Sequence, residues 1–406
     1  MPKLPISLVE LLQQALASHK YALALNEENT DILFNTAQVM ISLAELAADA
    51  GAQADSIPLL RESLEVLSAC FSRQEMLREE QSVGFVDEPQ GGVPLEAEAP
   101  QEPSSSEPNV DSGEREAEEE FVTIQTPITA EDLLDTARAS MSALTLLVSL
   151  EEATNIPTLA QMAYALTDIK IPQYLKELSE EERVKTEPET ALERADFVTS
   201  LANAEYKTGS ISFEDVLSRL QVLEAFDLNG NVPAMCNYAD ALVEFASTAQ
   251  NLGSTSSEKD GPTCWTQLGK AQDLYTRAVK VNNDDSRDRK AQIYESRGDV
   301  EMLRLRLASS QGSGLSASIR SSAPTLVKNA QTYYRGASNL FRTEGDSSAA
   351  AKVEIRSLIA GVLEGRMSGQ VEAHTNALKQ RGDSAAAVAV DMMREGLLTC
   401  DWDQGL

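Results

Sequence analysis

Histidine and cysteine, the side chains best suited to acid–base, nucleophilic and metal chemistry near neutral pH, are scarce in this chain of 406 residues: two histidines, His19 and His374, and four cysteines, Cys70, Cys236, Cys264 and Cys400. The cysteines form no CxxC pair and no regular spacing, so they read as reduced packing thiols, not as a zinc site or a disulfide framework. No phosphate-binding loop, nucleophile elbow, HExxH or kinase signature occurs, and Gly312-Ser-Gly314 lacks the third glycine and preceding strand of a dinucleotide loop. Among 64 acidic residues, adjacency of two carboxylates selects nothing. The expectation is a protein that is not an enzyme, with no catalytic residue, cofactor or metal. Its chemistry is recognition.

The charge is distributed for that purpose. Residues 85–120 hold twelve acids, Glu118, Glu119 and Glu120 among them, against the single base Arg115. Five prolines, a serine run at 104–106 and little apolar content leave this stretch unable to offset the entropy of ordering it, so a disordered acidic loop is expected. Residues 265–342 are the reverse, with thirteen Lys or Arg against seven Asp or Glu. A whole-chain charge of −30 repels nucleic acid and anionic membrane and attracts basic proteins.

The elements carrying these charges read as helices. Aromatics are only 5% of a chain that is 42% hydrophobic, which favours an all-α fold. Apolar residues recur at helical spacing over 8–25, 31–48, 56–80 and from about 128 to 150, with Thr30 and Thr129 as candidate caps and Pro172 dividing the 157–178 segment. No run of about 18 apolar residues and no signal-peptide layout is seen, so a soluble protein of the cytoplasm or nucleus is expected.

Several segments share a pattern. Ala271-x3-Tyr275-x2-Ala278 and Ala330-x3-Tyr334-x2-Ala337 place small and aromatic residues identically, and Ala15, His19 and Ala22 follow the same spacing. Upstream of such segments lie Ala37, Ala202 with Tyr206 and Gly209, the 232–242 segment opened by Pro233, and Gly298-Asp299. These alternate as helix A and helix B signatures of the tetratricopeptide repeat, which the chain resembles over about half its length at irregular spacing. The resemblance implies a right-handed α-solenoid of antiparallel helix pairs. The corresponding divisions are N-terminal repeats over 1–83, the acidic loop over 84–127, central repeats over 128–308 with a flexible loop near 253–262, a flexible loop over 309–322, and a final repeat with capping helices over 323–406.

It further implies a protein-binding groove built by helices A, in a monomer or weakly self-associating chain. Acidic escort chaperones of this kind, including histone chaperones with an acidic insertion, bind basic clients such as histones or ribosomal proteins. A neutral adaptor, or a co-chaperone gripping acidic C-terminal peptides, are the alternatives. Asn35, Asn203, Asn237, Arg287, Arg289 and Lys290 lie on or beside helix A segments and are the candidate partner-binding donors. The acidic loop has three candidate roles: holding the client, folding onto the basic 265–342 region, or serving as a linker. The basic-region tyrosines, Tyr275, Tyr294, Tyr333 and Tyr334, read as core.

Overall fold

A computed structural model describes residues 7–84, 127–151, 154–256, 259–369 and 372–399. The acidic stretch, with Glu118, Glu119 and Glu120, lies outside them. Every regular element among the described residues is helical, and consecutive long helices pack side by side through the chain.

The helices begin where short polar side chains satisfy their first N–H groups. Capping boxes start α1 (Leu8–Leu25, Ser7 with Glu10), α4 (Ala130–Leu150, Thr129 with Asp132), α7 (Glu180–Lys207, Ser179 with Glu182) and α8 (Phe213–Leu220, Ser212 with Asp215). Helix α2 (Thr30–Asp49) is capped by Asn29, one residue before the expected Thr30, because its Oδ1 accepts from the Ile32 N–H at 3.0 Å. Helix α3 (Gln53–Gly84) continues to the edge of the acidic stretch.

Pro172 divides its segment as its missing N–H requires. Helix α5 (Ile156–Ala165) passes through a π turn at Leu166–Lys170 into α6 (Ile171–Leu175), with the proline in the first turn of α6. Helix α8 stops at Leu220 and tightens into a 3-10 turn at Gln221–Ala225. Helix α9 (Val232–Asn251) carries Pro233 in its first turn. The stretch expected as a loop near 253–262 is partly helical: a 3-10 turn at Ser254–Ser256 precedes α10 (Asp260–Lys280), and Gly261 is buried where a Cβ would lie 2.1 Å from the Ser313 carbonyl oxygen.

After the short α11 (Asp284–Asp288) comes α12 (Lys290–Ser309), a full-length helix. The 309–322 stretch, also expected as a loop, holds the turn α13 (Ala317–Arg320) and buries Ser313 and Leu315. Helices α14 (Ala323–Glu344), α15 (Ser347–Ser368), α16 (Glu372–Lys379) and α17 (Asp383–Arg394) complete the chain.

Two buried cores run through this array, one from Ala37 to Ala204 and one from Ala195 to Leu398. They meet on α7. That helix gives Phe197, Leu201 and Ala204 to the first core and Ala195, Ala202 and Tyr206 to the second. Helix α4 is the one helix among the described residues long and apolar enough to cross a membrane, and 61% of its most apolar window is buried inside the fold.

The repetition is visible as hydrogen bonding. Tyr275 on α10 donates its hydroxyl to Asp240 on α9, and Tyr334 on α14 donates to Asp299 on α12 at 2.7 Å, each pair 35 residues apart. The residues before the two acids are small and buried, Ala239 and Gly298, and Ala271, Ala278, Ala330 and Ala337 are all 0% exposed. A ring can lie flat against a facing helix only where that helix has no bulk. At Gly298 an added Cβ would sit 2.4 Å from the Tyr334 ring.

Candidate functional site

Neighbouring helices that repeat in register bring equivalent residues side by side, so polar positions form a row. Between α4, α7 and α9 this row opens into a cleft of about 220 Å³, lined by Thr145, Asp196, Asn237, Asp240 and Glu244, with Thr199 and Ser200. Two cross-links of equal span, 41 residues, join its walls: Asn237 Nδ2 donates to Asp196, and Asn203 Nδ2 donates to Glu244 at 2.7 Å.

These carboxylates are hemmed by protein. Asp240 and Glu244 reach solvent, yet the helices around them displace much of the water that would stabilise their charge. Burial is accordingly the main cause that pushes Asp196 up to about 7, opposed by the Asn237 hydrogen bond and reinforced by Asp240 and Glu193. Burial likewise pushes Asp240 up to about 6, against the Tyr275 hydrogen bond and Arg289, and with Asp299 adding to it. Glu244 is raised by burial too, with Asn203 opposing.

The repulsion continues along α12 to a neutralising arginine. Arg356 on α15 is 2% exposed, with Nη1 2.7 Å from Asp299, Nη2 2.7 Å from Glu395 and Nε 3.6 Å from Glu295. Its own pKa rises because those three acids outweigh its burial.

Of the expected donors, Asn203 and Asn237 line or adjoin the cleft, and Arg289 stands within electrostatic reach of Asp196 and Asp240. Arg287 pairs with Asp284 of its own short helix. Asn35 is exposed on α2 and Lys290 is half-buried at the start of α12, and neither lines the cleft. Both asparagines spend their N–H groups on carboxylates, so the face they occupy presents acid. Asp196, Asp240, Glu244 and Asp299 were hidden among the other acids. The signals that mark Asp240 and Asp299 are the small-Asp step shared by Ala239-Asp240 and Gly298-Asp299 and the equal spacing from each Asp to its Tyr.

Burial pushes the thiols of Cys70, Cys236 and Cys264 up to about 11, 12 and 12, which keeps them protonated and unreactive at neutral pH.

The raised carboxyls link pH to stability. Folded Asp196 keeps its proton up to about pH 7, whereas the unfolded chain releases it in the ordinary carboxylate range, so this residue destabilises the fold increasingly as pH rises between those limits. Asp196→Asn should therefore stabilise the protein at pH 8, by on the order of 1 kcal/mol, and the gain should shrink toward pH 5. Urea unfolding at the two pH values checks this; a gain independent of pH would mean that Asp196 does not titrate there.

No family model matches this sequence, and no curated protein matches it. Among solved structures, a circular tandem repeat protein with novel repeat topology and enhanced subunit contact surfaces is similar at 15% identity and a TM-score of 0.32, over 96% of this chain and 80% of the other.

Proposed function

We propose that this chain is a non-enzymatic, tetratricopeptide-like right-handed helical array that escorts a basic protein client such as a ribosomal protein or a histone. The observation that carries the reading is the row of Asp196, Asp240 and Glu244, carboxylates that line one cleft, each held by a neutral donor, with no ion pair to any of the three among the described residues. A cationic segment entering this row would replace mutual repulsion by attraction in a cleft whose helical walls exclude part of the solvent. The whole-chain charge of −30 adds long-range steering toward such a segment. An acidic C-terminal peptide would meet these same carboxylates and be repelled, so the co-chaperone alternative has less support.

Isothermal titration of a basic histone-tail peptide at low and high salt tests the proposal. Affinity should fall at least about tenfold between roughly 50 and 300 mM NaCl. Salt-independent binding would favour the neutral adaptor instead. Repeating the titration after deleting residues 87–120 separates the acidic stretch from the groove: unchanged affinity assigns capture to the groove alone.

A further inference from the structure

We propose that the Asp240–Glu244 corner of the cleft is a seat for an arginine side chain of the client, an assignment that rests on the basic-client reading and narrows it to guanidinium. The argument begins with a comparison inside the chain. In the later repeat, Asp299 accepts from the Tyr334 hydroxyl and also from Arg356, a guanidinium supplied by the next helix. In the earlier repeat, Asp240 accepts from the equivalent Tyr275, and the place facing that tyrosine is held by the small Ser296 of α12. The same Tyr–Asp frame is thus filled by an arginine in one repeat and by a serine in the other.

A second observation lies on the cleft's neighbouring helix. Asn203 is 5% exposed, its Nδ2 is directed at Glu244, and the Oδ1 of that amide is buried with no hydrogen-bond partner. A buried acceptor left unpaired is costly, and it complements a group that is all donor. Guanidinium suits the two carboxylates that line this corner: five N–H donors in a planar fork, spread widely enough to engage both Asp240 and Glu244. Among the described residues no three acids or other ligands converge closely enough to hold a metal ion, so the spacing suits a broad organic cation.

The test uses three peptides on the full chain: hexa-arginine, hexa-lysine and hexa-citrulline, the last keeping arginine's shape without its charge. The parent protein should bind hexa-arginine about tenfold tighter than hexa-lysine and should not bind hexa-citrulline. Asp240→Asn should remove the preference for arginine while leaving lysine binding within about twofold. Glu244→Gln, at a solvent-reaching position, provides the same reading if the first variant folds poorly. Ser296→Arg, which supplies a guanidinium from within, should weaken hexa-arginine about tenfold. Equal binding of the two cationic peptides, or a preference untouched by Asp240→Asn and Glu244→Gln, would overturn the seat and leave the basic-client reading standing. Failure of both cationic peptides to bind would overturn that reading as well.

Discussion

Arg356→Ala should be the most damaging single substitution in the fold, lowering its stability by about 3–5 kcal/mol. The guanidinium is the shared counter-charge for Glu295, Asp299 and Glu395, and removing it leaves three acids facing one another with little water between them. The loss also loosens the segment after α17, where the Glu395 carboxylate loses Arg356 while its carbonyl keeps the Ser247 hydroxyl at 2.7 Å. Chemical unfolding should show a partial recovery in the double variant Arg356→Ala with Asp299→Asn, which removes one of the stranded charges. The variant should also regain stability as pH falls from 8 toward 6, because Glu295 and Glu395 are already raised by burial and would take up protons more readily without the arginine. A loss under 1 kcal/mol would show that the three acids have other means of neutralisation.

Gly298→Leu should be the second most damaging, costing at least about 1–3 kcal/mol by overpacking. Even a Cβ at this position would meet the Tyr334 ring at 2.4 Å, and the ring has little room to retreat because it is fully buried with its hydroxyl tied to Asp299. Ala278→Leu, at a fully buried alanine one turn beyond Tyr275 in the preceding repeat, should act in the same direction. The control is Gly269→Leu in the same calorimetric series: a Cβ there meets nothing within 4 Å and the change removes a glycine from a helix interior, so it should not destabilise. If Gly298→Leu and Gly269→Leu behave alike, the helix register inferred from the repeats is wrong.

The helices were legible where local signals agree. The apolar period and the Ser7 to Glu10 box bound α1 from within its own residues. Ala271, Tyr275 and Ala278 announced a tightly packed helix because small and aromatic residues at that spacing have few other uses. The N-terminal half of α7 was not legible: Glu180 to Arg194 is highly charged and contains Pro188, and its helicity depends on the Ser179 cap and on packing against α4. The groove was half legible. Asn203 and Asn237 stood out as polar residues on helix A segments, but which group each amide faces is decided by a helix 41 residues away. A residue's type is written in the chain; its neighbour across the groove is set by the repeat spacing, which insertions here make irregular. Asp196 and Asp240 therefore stayed indistinct until their helices were placed together.

The position of α7 has a thermodynamic consequence. Because this helix is a wall of both cores and also carries Asp196, the cleft lies on the seam between the two halves of the molecule. A ligand that binds only the folded protein stabilises it by an amount set by its concentration relative to its dissociation constant. One that bridges α7 and α9 at this seam fastens a helix that neither core can release separately. The energy of such binding would then be shared by the whole array, and an occupied cleft would protect the N-terminal helices it does not touch as well as the helices that line it.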